Sequence, residues 1–291
     1  MEARMRLGLV VNNNGAPAVE AVRRMPALAE QAGYDSIWVT DHVVGVRSFQ
    51  PVYGATWMEP MTALTWMAAA TSRIRIGLGV LVVPYRDPVL TAKMIATLDQ
   101  LSGGRVDLGI GTGWSRSEYN ALGRGDIFAE RGAITDESIE LMLRCWQGGE
   151  FGFEGKYFRF RSLQFDPVPV QPLRVPLWIG SRTGQGAPMR RVAKYADVWH
   201  PSGLSPEEIR ESGDAVDEVA GRAIPRTVRM SHPPAKSTDE LIDLLGQYRE
   251  AGCIEAAIDF GGLDADLAQD GALERTCDAA CALAERRKEI G

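Results

Sequence analysis

The chain is poor in the residues that usually announce a metal centre or a disulfide scaffold: three histidines and four cysteines in 291 residues. Cys145, Cys253, Cys277 and Cys281 include no C-x-x-C pair, and no His-x-His occurs anywhere. Neither a disulfide framework nor a metal site is expected from such spacing. Cys277 and Cys281 share a helical face with Leu273, Ala280 and Ala284, an ordinary apolar stripe. Long hydrophobic runs are also missing. The longest is Ala279 to Ala284, or Ile76 to Val83 with glycine counted as apolar, against the about 20 residues needed to span a bilayer. No membrane partner is expected. The opening Met1-Glu2-Ala3-Arg4-Met5-Arg6 leads into too short an apolar segment for a secretory signal, so a cytoplasmic location is expected. Basic residues are outnumbered, 32 Lys and Arg against 38 Asp and Glu, which argues against a phosphate-coating nucleic-acid binder. Any anionic ligand must be held locally.

What is present is a large apolar fraction, 45%, enough for one sizeable core, and a repeated passage from a short β-branched run to a helix-period segment, the pattern of parallel βαβ units. Strands are predicted at Arg6–Val11, Ser36–Thr40, Arg75–Val83, Arg105–Gly111, Pro176–Gly180, Asp197–Trp199, Thr227–Ser231 and Glu255–Phe260. Eight alternations with no linker fit a (β/α)8 TIM barrel over residues 1–291 better than a pair of Rossmann domains. The wide gap between the fourth and fifth strands predicts a helix, Thr135 to Gln147, then an insertion at 148–176 that carries Tyr157, Phe158 and Phe160 and returns through Pro167, Pro169, Pro172 and Pro176. Pro88–Ser102 is predicted as a helix with Pro88 in its first turn and Gly103 as its stop, packing through Leu90, Met94, Leu98 and Leu101. Two later helices open with capping boxes at Ser205 and Ser237. In the first helix, Pro26 is expected to kink or restart the turns.

All three histidines, His42, His200 and His232, follow predicted strands, which in a parallel barrel places them at the carboxyl-terminal face where such enzymes keep their active sites. His42 is the strongest candidate, because adjacent Asp41 could set its tautomer and imidazole is the natural proton carrier near neutral pH. His232 reads better as a strand-end residue. Glycines crowd the strand ends at Gly77, Gly79, Gly109, Gly111, Gly113 and Gly180, where a flat ring or a phosphate could approach the backbone. Gly109-Ile110-Gly111-Thr112-Gly113 imitates part of a dinucleotide fingerprint, but its spacing fails and no acidic residue follows at the required distance. Gly180-Ser181-Arg182-Thr183-Gly184 offers backbone donors, hydroxyls and a guanidinium near a helix start, the chemistry of an anion site. A metal hydrolase built on His42, His200, His232 and Asp259 is a weaker alternative.

Several longer stretches carry a resemblance. Ser36-Ile37-Trp38-Val39-Thr40-Asp41-His42, Glu59-Pro60, Thr71-Ser72-Arg73-Ile74-Arg75-Ile76-Gly77, Leu98-Asp99-Gln100-Leu101-Ser102-Gly103-Gly104-Arg105 and Gly109-Ile110-Gly111-Thr112-Gly113-Trp114 resemble the luciferase-like monooxygenase superfamily, and within it the branch that uses the deazaflavin coenzyme F420. The likeness continues through Pro176-Leu177-Trp178-Ile179-Gly180 and Ala196-Asp197-Val198-Trp199. It implies a commonly dimeric (β/α)8 barrel with the cofactor ring over the strand ends.

The resemblance also implies particular sites. Thr40, Asp41 and His42 would stand beside the ring and substrate, with Asp41 and His42 as catalytic residues. A bulge with a non-prolyl cis peptide at Gly79-Val80 would back the ring. Gly111, Thr112, Gly113, Gly180 and Ser181 would meet the cofactor's phosphate region, with Arg182 nearby, and Trp57, Trp114 and His200 would line the substrate pocket. The expected activity is F420-dependent hydride transfer to or from a small organic substrate. The alternatives are an FMN-dependent monooxygenase, which would need oxygen and a separate flavin reductase, and a catalytically silent flavin-binding protein. Where sugar-phosphate dehydrogenases of this branch carry a Glu after the Gly-Thr-Gly run, this chain has Trp114, which argues against a glucose-6-phosphate-type reaction.

Overall fold

The computed structural model describes residues 4–47, 50, 54–181, 186–234, 236–261 and 269–290. The strands are β1 (Arg6–Val10), β2 (Ser36–Val39), β3 (Arg75–Val82), β4 (Val106–Gly111), β5 (Gly149–Glu154), β6 (Arg159–Phe165), β7 (Leu177–Ile179), β8 (Val198–Trp199), β9 (Arg226–Ser231) and β10 (Cys253–Asp259). All except β5 and β6 close a parallel barrel in the order β1-β10-β9-β8-β7-β4-β3-β2. These are the strands predicted from the sequence, within about two residues at their ends. The fold is a (β/α)8 barrel with an insertion between its fourth and fifth strands.

Alternation along each strand sorts side chains into two populations, because successive residues point to opposite faces. Leu7, Leu9, Ile37, Val39, Ile76, Leu78, Leu108, Ile110, Ala256 and Ile258 join the core shared with the outer helices. Residues of the opposite parity, Val10, Trp38, Trp178, Val198 and Ala257, pack together as a separate cluster inside the barrel. Gly8 and Gly77 share that inner face. A Cβ on Gly77 would lie 2.3 Å from the Trp38 ring, and one on Gly8 2.8 Å from Trp38 Nε1. Both glycines are needed for the indole to fit.

The helices that frame the site are α1 (Ala18–Ala32), α2 (Pro60–Ala69), α3 (Pro88–Ser102), α4 (Arg116–Ala121) and α5 (Arg131–Cys145). They are followed by α6 (Gly186–Tyr195), α7 (Pro206–Ala220), α8 (Thr238–Glu250) and α9 (Ala272–Glu285). Both capping boxes form as predicted. Pro26 sits inside an α1 that runs through it as one element. In α3 the bounds match but the buried face differs. Leu90 and Leu101 are 57% and 76% exposed, while Ala92, Ile95, Ala96, Leu98 and Asp99 face inward. Small side chains let the helix lie close to the sheet, and Asp99 takes the backbone N–H groups of Val170 and Gln171 at 2.8 and 3.1 Å.

The helix predicted at Thr135 to Gln147 begins four residues earlier, at Arg131. Within the insertion, β5 and β6 form an antiparallel hairpin rather than a wholly extended excursion. Its tip is tied to α5 by Glu137, which accepts the N–H groups of Lys156, Tyr157 and Phe158. Among the described residues, no helix is long and apolar enough to cross a membrane.

Candidate active site

At the carboxyl ends of the barrel strands the chain gathers Asn12 and Asn13 after β1, Thr40 to His42 after β2, the Gly79-Val80 bulge in β3, Thr112 and Gly113 after β4, His200 after β8, and Arg229 and Asp259 on β9 and β10. The Gly79-Val80 peptide is cis, at the position expected from the resemblance, and the pairing of β3 with β4 shifts register between Leu78 and Leu81. Arg229 secures this bulge from across the barrel. Its Nη1 donates to the Gly79 carbonyl at 3.0 Å and its Nη2 to Thr40 Oγ1 at 2.8 Å, with Asp259 3.5 Å away as counter-charge. Thr40 is held further by Asn13, whose amide spans the Thr40 and Met58 carbonyls.

The strand-end glycines serve a purpose that their spacing did not reveal. A Cβ on Gly111 would stand 2.5 Å from Val80 Cγ2, and one on Gly180 2.8 Å from Val80 Cγ1. The room at Gly111 and Gly180, expected to admit a cofactor, is therefore taken by the Val80 side chain. Gly79 faces inward, where a Cβ would meet His200 Nε2 at 3.4 Å and Trp38 at 3.5 Å. Gly113 has φ of 69°, a left-handed conformation that glycine adopts without strain. Its carbonyl accepts from Arg131 Nε at 3.0 Å, and the neighbouring Thr112 carbonyl accepts from the Tyr119 hydroxyl at 2.6 Å. Ser181 Oγ accepts from Trp199 Nε1 at 3.1 Å. Arg182 lies outside the described residues, as do 48–49 and 51–53 of the loop after His42.

Asp41 and His42 are adjacent in sequence and differ in surroundings. Asp41 is buried and receives both terminal nitrogens of Arg86, at 2.6 and 3.0 Å, together with the Val82 N–H. Arg86 also reaches Glu59 at 3.0 Å, the N-cap of α2. The carboxylate that addresses His42 is instead Glu118, whose Oε2 lies 2.7 Å from Nδ1. Sequence reasoning missed Glu118 because it stops at Trp114; the Ser115-x-x-Glu118 capping pattern was the available signal. Ser115 does cap α4, accepting the Glu118 N–H. Glu118 has no exposed surface. Burial pushes its carboxyl upward, but His42 and the Val43 N–H prevail and hold it below the usual range. It is therefore an ionised acceptor.

The His42 ring is walled by Trp57, with centroids 4.4 Å apart, and by Trp114 at 6.0 Å, edge-on. Trp114 is 60% exposed, so this wall borders solvent. His200, expected in the substrate pocket, is buried inside the barrel and stacked on Trp38 at 5.0 Å. Burial, reinforced by Arg229, pushes its imidazole down to about 3. Thr227 donates its hydroxyl to the Trp199 carbonyl and so accepts from His200 Nδ1. The remaining nitrogen, Nε2, is a buried acceptor without a partner among the described residues. His232 is also buried, edge-on to Phe260. Among the described residues no three His, Cys, Asp or Glu side chains converge as metal ligands would.

A closed parallel barrel with polar and aromatic side chains converging on a bulged strand at its carboxyl-terminal mouth has the layout of a barrel enzyme. The model of the luciferase-like monooxygenase family matches residues 5–275, and the chain belongs to that family. An uncharacterized protein of Mycobacterium tuberculosis is 32% identical over 195 residues, covering 62% of this chain and 65% of that one, just under two thirds of its length. The F420-dependent glucose-6-phosphate dehydrogenase of Amycolatopsis mediterranei is 38% identical over 172 residues, 58% of this chain and 47% of the relative. Among solved structures, an F420-dependent secondary alcohol dehydrogenase superimposes with a TM-score of 0.78 at 16% identity, covering 96% of this chain and 99% of that one. Likeness at that identity speaks for the fold.

Proposed function

We propose that the protein is a coenzyme F420-dependent oxidoreductase that moves a hydride between the deazaflavin and a small organic substrate at the barrel mouth. The observation that carries this reading is His42, held through Nδ1 and walled by two indoles, on the same mouth as the Gly79-Val80 bulge. The family membership and the F420-dependent relative support the choice of cofactor.

The residues fit a flat heterocycle with polar edges. The bulge is pinned by Arg229, Thr40 is clamped by Asn13, and Arg229 and Asn12 supply hydrogen-bond donors around the strand ends. Thr40, Gly79 and Val80 would hold the ring, and Thr112, Gly113 and Ser181 the phosphate-bearing chain. Gly111 and Gly180 act one step removed, by accommodating Val80. When bound, the deazaflavin supplies the hydride chemistry. The chain's own task is to orient the substrate and manage its proton. His42, with its Nδ1 proton committed to Glu118, exchanges a proton through Nε2, and the indole walls of Trp57 and Trp114 favour a substrate with an apolar body.

Fluorescence titration of the purified protein with F420 and with FMN tests the reading. Tighter binding of F420 is expected. Tighter binding of FMN would replace the proposal with an FMN-dependent monooxygenase, and F420 binding without turnover of any alcohol or carbonyl compound would reduce it to a binding protein.

A further inference from the structure

We propose that Glu118 is the positioning residue for His42, fixing which imidazole nitrogen carries the proton and, through the same carboxylate, anchoring the start of the loop that follows. This rests on the reading of His42 as the proton-transferring group. The two oxygens of Glu118 divide the work. Oε2 meets His42 Nδ1 at 2.7 Å and the Tyr85 hydroxyl at 3.3 Å, while Oε1 accepts the Val43 N–H at 2.9 Å. An ionised carboxylate has no proton to give, so the proton of this short contact sits on Nδ1. A neutral His42 then carries its lone pair on Nε2. The other nearby carboxylate, Asp41, is committed to Arg86.

The placement of Glu118 is over-determined for a residue on a six-residue helix. Ser115 caps that helix, the next residue, Tyr119, is tied by its hydroxyl to the Thr112 carbonyl, and Arg131 grips the Gly113 carbonyl at the start of the turn. The carboxylate is thus delivered from the end of β4 to the end of β2 by a rigid connection. A purely structural role, anchoring Val43, needs only an acceptor at Oε1, which glutamine also provides. Setting the tautomer needs a group that cannot donate, which glutamine is not.

Long-range proton–nitrogen correlation NMR on 15N-labelled apoprotein, at a pH where the rings are neutral, separates these roles. The chain has three histidines, and His42→Ala assigns the relevant signals by their loss. The wild type should show the Nδ1–H form at His42. In Glu118→Gln, an amide donating to Nδ1 should convert it to the Nε2–H form, with F420 affinity by fluorescence unchanged within about twofold. Persistence of the Nδ1–H form in a folded Glu118→Gln protein overturns the proposal. So does an Nε2–H form in the wild type, a result that stands even if the variant does not fold. Failure of the wild type to bind F420 would sink the functional reading and leave the tautomer result untouched.

Discussion

Val80 occupies the space that Gly111 leaves empty: its Cγ2 lies 2.5 Å from where a Gly111 Cβ would be. Gly111→Ala should force the valine off its strand-end seat and cost about 1 to 3 kcal/mol, as overpacking does. Adding Val80→Ala should recover most of that loss, because the two changes act on one volume. Urea denaturation of the two single variants and the double variant measures the coupling, and simple additivity would show that the valine is not what the glycine accommodates.

Asp41 is expected to matter for the fold. Replacing it with Asn leaves the buried Arg86 guanidinium without its full counter-charge, and breaking such pairs costs about 3 to 5 kcal/mol. A lowered denaturation midpoint is therefore the expected phenotype of Asp41→Asn. A variant of wild-type stability that binds cofactor but does not turn over would return Asp41 to the catalytic set.

His42→Ala should bind F420 normally and lose roughly a hundredfold to ten-thousandfold in kcat, the range for removal of a general acid or base. If His42 only orders the loop beginning at Val43, the loss should be small and appear in KM. Steady-state kinetics with saturating substrate distinguish the two outcomes.

Glu255 predicts a pH dependence of stability. It is fully buried inside the barrel; burial chiefly, with Asp107 adding, pushes its carboxyl up to about 7. Arg6, Ser36 and Trp38 oppose the shift. A folded value raised above the ordinary 4.5 means that the unfolded chain ionises first. The associated stability is complete below about 4.5 and is lost as pH rises through about 7, a contribution on the order of 3 kcal/mol. The melting temperature should fall between about pH 4.5 and 7 by this mechanism and level off above that, and Glu255→Gln should flatten that slope. An identical slope in the variant would assign the dependence to other groups.

The sequence by itself determined what depends on near neighbours. Short β-branched runs and the regular return of helical segments marked all eight barrel strands, Pro88 in the first turn and the Gly103 stop delimited α3 to the residue, and Ser205 and Ser237 capped their helices as local chemistry requires. Likeness to a family, rather than spacing, pointed to the cis bond at Gly79-Val80. The tertiary structure alone decided which distant groups meet. Glu118 reaches His42 across 76 residues and Arg86 reaches Asp41 across 45. Whether a strand glycine receives a ligand or a neighbour's side chain depends on inter-strand register, and the shift between Leu78 and Leu81 is what sends Val80 into the gap at Gly111 and Gly180. Periodicity along one strand carries no information about that offset, because register arises from the pairing of strands and from the side chains that pack between them.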